Sequence, residues 1–414
     1  MDIHLTLRRA PGNAISGEAV YGDISGAYDF ALDQNFILRR ITGLAGQSEC
    51  PFEKTHTMRD GYLDQTNTLI YRKADIYRMG GEVPAPIKIE YESRGDFASD
   101  IAFNRISEEM IALDALYINF YPVPIARETT EKIRGYQKFE AGKESAISFG
   151  KLSFALEGFE PYRVINSCVE NGKTLVRQFV KICPFKLLAV NEGKLLKKES
   201  GRVTAYYFDA KEGGRAARTA QEAGHILEWY GENLFPGQKA PERMFFVSYG
   251  TKKSNGFNRS VTVELDRFYA PDTLKGRQLL AHEIAHYWCI SEPPAVWNEQ
   301  MLAEGGVEWS HLLHSLSQGR LKYMFDYIFL ANMYFCSRVY CLLHREKLYN
   351  VHLHGYRLFK SIYKKHGKSV LENCIRHFAR AEVKTMDAFL HAVKANEPAE
   401  IYASVKSLAG KNLS

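Results

Sequence analysis

Over the first 200 residues the apolar positions fall in short runs, not in helical stripes. Residues 27–32, 36–44, 68–79, 85–93, 145–156 and 174–190 are rich in β-branched and aromatic side chains, and Gly, Pro, Asn and Asp separate them. This is the pattern of strands joined by turns, and it predicts a sandwich or a curved multi-stranded sheet. Residues 202–208 read as one more strand. The period then changes. Within residues 214–235, Ala220, Ala223, Ile226, Leu227 and Tyr230 share one side of a helix. Strand-like runs follow at 244–251 and 259–265, and from Asp272 onward the spacing is mostly helical. The change falls at the polar, basic stretch 192–201. An α+β multidomain chain is therefore expected, with an N-terminal β-rich domain over residues 1–197 and a mainly helical domain over residues 198–414.

Composition narrows the function classes. With 414 residues, 45% hydrophobic and 25% charged, the chain is an ordinary globular one. A formal net charge of +6 is small for this length and gives no reason to expect a nucleic-acid partner. Residues 323–343 are apolar enough to suggest a membrane span. They carry Asp326, Asn332 and Arg338, however, so a buried helix is expected and no membrane insertion. The seven cysteines are scattered, odd in number and without a Cys-x-x-Cys pair. They predict a reducing compartment and, with no apolar leader at the N-terminus, a cytoplasmic location.

The chemistry concentrates at His282-Glu283-Ile284-Ala285-His286. Asp272 is a candidate cap for a helix that runs to about Cys289, ahead of Pro293 and Pro294. Residues four apart lie on one helical face, about 6 Å along the axis, so both imidazoles can reach one ion. Ala281, Ile284, Ala285 and Trp288 form the core-facing stripe. Glu283 then sits beside the ion without being a ligand, where a base acting on an activated water belongs. A chance match to this spacing is expected at ~0.05 per chain of this composition, so the motif is a signal. Catalytic zinc takes three protein ligands. A second helix beginning near Asn298 offers Glu304, followed by Gly305 and Gly306, whose small size would let the two helices approach closely. Glu299, Glu308, His311 and His314 are the alternatives, read as solvated or flanking groups.

These residues resemble the aminopeptidase N family of zinc metallopeptidases (gluzincins), which includes leukotriene hydrolase. The family signature is His-Glu-x-x-His, a Trp two residues on, and a W-N-[DE]-x-x-L-x-E-G segment. Here Trp288 follows His286, and Trp297-Asn298-Glu299-Gln300-Met301-Leu302-Ala303-Glu304-Gly305 stands for the segment. The spacing from the second His to the Glu has 17 intervening residues where the family has 18, and Ala303 replaces the usual Asn. The resemblance is strong over residues 272–310 and loose elsewhere. It implies an N-terminal saddle-like β domain, a thermolysin-like catalytic domain, and one zinc ion held by His282, His286 and Glu304 with Glu283 as general base. It also implies a short form without the C-terminal helical domain, with an open cleft that a second subunit or a partner would cover.

Two departures bear on activity. The family's G-A-M-E-N strand, whose Glu grips the substrate amine, is matched by residues 254–260, which contain no acid. Gly256, Phe257 and Asn258 remain as groove-lining candidates. The family's oxyanion-binding Tyr is matched by His352 when Gly355 and Gly367 are aligned with the family's glycines, with Tyr349 and Tyr356 as alternatives. An imidazole N–H can serve there. The resemblance thus implies a zinc metallopeptidase, aminopeptidase-like but without the acidic anchor. The rivals are a zinc hydrolase of a small amide, conjugate or epoxide, and an inactive zinc-binding scaffold.

Overall fold

The computed structural model describes residues 2–22, 24, 28–63, 69–81, 85–98, 104–114, 120–127, 137–138, 151–165, 176–178, 186–250, 256–259, 261–289, 297–343, 351–381 and 384–413. The chain divides into two compact units, one within residues 1–195 and one containing Leu196–Ser414. The first is strand-rich and the second mainly helical, as the change of hydrophobic period predicts.

Among the described residues, the first unit holds one seven-stranded and two five-stranded sheets. Ile15–Tyr21 and Ile87–Ser93 pair antiparallel, and both bury every second side chain, the period-2 signature of a strand with one face in a core. Tyr91 lies across Gly17 so closely that a Cβ there would fall 2.2 Å from its ring. Leu5, Tyr21, Phe30, Phe36 and Tyr91 anchor this core.

The second unit opens with a five-stranded sheet of β1 (Leu196–Ser200), β2 (Val203–Tyr207), β3 (Met244–Ser248), β4 (Gly256–Arg259) and β5 (Thr262–Leu265), in the order β1-β2-β3-β5-β4. β2, β3 and β5 run parallel, and β4 returns antiparallel to β5. Helix α1 (Gly213–Trp229) makes the crossover between β2 and β3. It buries Ala216, Ala220, Ala223, Ile226 and Leu227, the stripe its spacing predicts. Then come α2 (Leu274–Cys289), α3 (Trp297–Ser317), α4 (Arg320–Leu343), α5 (Val351–Arg380), α6 (Met386–Asn396) and α7 (Ala399–Leu413). Residues 323–343 lie in α4. Among the described residues no helix is long and apolar enough to cross a membrane.

Two local features fix α2 and α3. The cap of α2 is Thr273, not Asp272: its Oγ1 accepts the Gly276 N–H at 3.1 Å, one residue later than the sequence suggests. Gly276 is obligatory there, since a Cβ would stand 2.0 Å from the Ala270 carbonyl oxygen. The two glycines after Glu304 have different partners. A Cβ at Gly306 would meet Cys289 of α2 at an ordinary 3.7 Å, whereas Gly305 meets Gly355 of α5 backbone to backbone. The close approach expected between α2 and α3 is in fact the crossing of α3 and α5.

Candidate metal centre

Helical periodicity puts His282 and His286 on one face of α2, and their Nε2 atoms stand 3.1 Å apart. From α3, Glu304 Oε2 comes to 3.4 Å from His282 Nε2 and 3.5 Å from His286 Nε2. Donors at 2.0–2.1 Å from one ion in a tetrahedron are about 3.3 Å from each other, so the three atoms sit at the corners zinc requires. Glu304 Oε2 is buried and accepts no hydrogen bond. Two facing imidazole nitrogens and a carboxylate oxygen that meets them without a well-formed hydrogen bond fit a divalent ion. His286 and Glu304 keep 12% and 18% of their side chains exposed, so solvent reaches the triangle on their side.

A carboxylate lies behind the ring of His282. Its Nδ1 lies 3.4 Å from Glu308 Oε1, and Glu308 is one helical turn beyond Glu304 on the same face of α3. The Tyr334 hydroxyl, from α4, donates to Glu308 Oε1 at 2.9 Å. His352, in the first turn of α5, stacks on His282 with ring centroids 5.5 Å apart. Its Nδ1 is 3.2 Å from Glu304 Oε2 and 3.7 Å from Glu308 Oε1. The Gly305–Gly355 contact brings α5 close enough for this.

Burial works against charge on each of these groups, and the cluster overcomes it. Glu308, Glu304 and Glu283 hold the His282 imidazolium well above its usual range. His352, His286 and His282 hold the Glu304 carboxyl well below the ordinary carboxylate range, and His282 and His352 do the same for Glu308. Three carboxylates converging on one imidazole create a field that favours positive charge, which is what a divalent cation needs.

Glu283 is buried beside β4. A Cβ at Gly256 would meet Glu283 Oε1 at 3.2 Å, and Asn258 Nδ2 donates to the Glu283 carbonyl at 2.7 Å. Gly256 and Asn258 thus tie β4, the outermost strand of its sheet, to the motif helix. Phe257 pairs through its backbone with Glu264 of β5, and its side chain lies outside the described residues, as does that of Glu299. Tyr349 also lies outside them. Tyr356 packs against Trp309 and Tyr334 at 5.9 and 5.2 Å. His311 is buried 3.7 Å from Asp326, and His314 is buried against Trp229, 5.1 Å away. Asp326, one of the charges that argue against a membrane span, accepts from Arg277 Nη2 at 2.8 Å and from the Ser315 hydroxyl at 2.6 Å.

Neither protein-family models nor curated protein sequences match this chain. Solved structures do. An M1 zinc metallopeptidase of Deinococcus radiodurans, bound to a Tyr-Ser-Ala substrate, superimposes with a TM-score of 0.53 at 12% identity, over 99% of this chain and 92% of its own. Leukotriene A4 hydrolase of Saccharomyces cerevisiae gives 0.52 at 12% identity, over 98% and 66%. Legionella pneumophila aminopeptidase A, in complex with aspartic acid, gives 0.56 at 12% identity. The match covers 98% of this chain and 49% of that one. The fold is that of the M1 zinc metallopeptidases.

Proposed function

We propose that this protein is a zinc-dependent hydrolase of peptide bonds, aminopeptidase-like in architecture. The observation that carries the reading is the triangle of His282 Nε2, His286 Nε2 and Glu304 Oε2, with edges of 3.1 to 3.5 Å, beside the buried acid Glu283. Zinc held there supplies Lewis acidity and brings the pKa of a water towards ~7. Glu283 takes the proton of the attacking water on its carboxylate and delivers it to the leaving amine. Glu308 and Tyr334 fix the ring of His282. His352 has Nδ1 turned to the two carboxylates, and its Nε2 is the nitrogen assigned to the substrate oxygen as it gains charge. An extended substrate aligns along the edge strand β4, whose main chain is read by strand addition.

The strand region 254–260 offers no carboxylate for a free amine. This favours, as a second reading within the same chemistry, N-blocked peptides or a small amide, conjugate or epoxide. Both readings are tested with one variant and one panel. Glu283→Gln should retain one zinc per chain by elemental analysis while turnover falls about 10²- to 10⁴-fold. Wild-type turnover in that variant would remove the base assignment. Parallel assays on free-amine peptides, N-acetylated peptides and small amides then separate the substrate classes. Full zinc occupancy with no hydrolysis across the panel would leave the scaffold reading.

A further inference from the structure

The outer face of α4 is apolar and open to water. Leu321, Met324, Phe325, Ile328, Phe335 and Val339 are all exposed, Phe335 to 66% and Leu321 to 64%. Beyond α4, only Leu44 and Leu196 are exposed large hydrophobics among the described residues. The inner face of α4 is buried through Asp326, Leu330 and Tyr334.

The spacing of the outer face is more specific than its composition. Leu321, Phe325, Ile328, Asn332, Phe335 and Val339 follow one another at intervals of four, three, four, three and four residues. This spacing keeps all six on one face of the helix over about 27 Å. The one polar member, Asn332, is exposed in the middle of the face. A single Asn at such a position restricts association to a defined register and number of chains. Taking ~200 Å² for a fully exposed large side chain, the six apolar groups leave roughly 600 Å² in water. A standard interface takes about 800 Å² from each partner, with a polar rim making up part of it, so this patch matches the apolar centre of one.

We propose that this face is a self-association surface, on which α4 of one chain packs against α4 of a second copy across a two-fold axis. A two-fold contact needs a patch complementary to itself, and a straight apolar stripe along one helix meets its own copy in that way. A lipid surface is the poorer match, because a bilayer would leave Asn332 without a hydrogen-bonding partner in the centre of the inserted face. The inner side of the same helix carries Tyr334 to Glu308, and the outer face is separate from that contact. The proposal stands whether or not the centre hydrolyses peptides.

The test is the mass of the full-length protein in solution, by light scattering after size exclusion and by sedimentation equilibrium, from about 1 to 100 µM. Wild type is expected at twice the chain mass. Ile328→Glu/Phe335→Asp is expected at the single-chain mass, with zinc content and far-ultraviolet circular dichroism unchanged. Asn332→Leu is expected to keep the association and raise its stoichiometry above two. A wild type that stays at single-chain mass at 100 µM overturns the proposal, as does a dimer that survives the double substitution. Sedimentation of single-chain wild type with phosphatidylcholine–phosphatidylserine vesicles, lost in the double variant, would assign the face to a membrane surface instead.

Discussion

His282 Nδ1 and Glu308 Oε1 face each other at 3.4 Å inside the second unit, on the side of the ring away from His286 and Glu304. A carboxylate in that place fixes the tautomer and orientation of a metal-binding imidazole, and its loss costs metal affinity 10- to 100-fold in general. Glu308→Gln should therefore weaken zinc binding by about that factor while leaving the fold intact. Competition against a chelator of known strength measures it. An affinity within twofold of wild type would show that Glu308 does not orient the ring.

The crossing of α3 and α5 tolerates no side chain. A Cβ at Gly355 would stand 2.1 Å from the Met301 carbonyl oxygen, and both partners are backbone. Relief requires one helix to move, and overpacking of this kind costs about 1–3 kcal/mol. Gly355→Ala should lower stability by that amount in denaturant titration and weaken zinc binding, because His352 moves with α5. Stability within 0.5 kcal/mol of wild type, by the ~0.5 kcal/mol spread of ordinary surface changes, would contradict the tight crossing.

His352 has two possible modes of action, and kinetics distinguish them. If Nε2 meets the developing charge of the substrate oxygen, His352→Ala should lower kcat about 10²- to 10³-fold with KM nearly unchanged. His352→Gln should recover part of the loss. If the ring serves only to steady Glu304 and Glu308, zinc affinity falls instead and excess zinc restores kcat.

Acid should loosen the second unit through α3. Burial pushes the His311 imidazole down to about 4 and that of His314 down to about 3. Both are therefore neutral when folded and protonate more readily when unfolded. The stability they contribute is complete above pH ~6.5 and is lost as pH falls from there towards 4, on the order of 3 kcal/mol for His311. Asp266, raised to about 6 by burial, acts in the opposite sense. Urea titrations at pH 7.5 and 5 should show a smaller loss in His311→Gln than in wild type. Equal losses would mean that His311 is already solvated.

The local, periodic parts of this architecture were legible in the sequence. The buried stripe of α1 follows from Ala220, Ala223, Ile226 and Leu227 at helical spacing, and the facing imidazoles follow from two histidines four residues apart. Glu304 stood out because it falls early on the next helix. What depended on contacts between distant segments was hidden. Glu308 sits one turn from Glu304 on the same face; of the two readings left open for it, solvated or flanking, its burial behind His282 fits the second. Tyr334 carried no signal, because α4 is apolar on both faces and a tyrosine there looks like any other core residue. Gly305 was legible as a close contact, but its partner, Gly355, is fifty residues away. The cap of α2 moved from Asp272 to Thr273 because both residue types cap helices well, and only the backbone decides which of two neighbours does so.

Where α3 and α5 touch without side chains between them, neither can slide or tilt alone. Glu304 and His352 ride on that locked pair. Amide exchange should accordingly be slowest around Gly305 and Gly355.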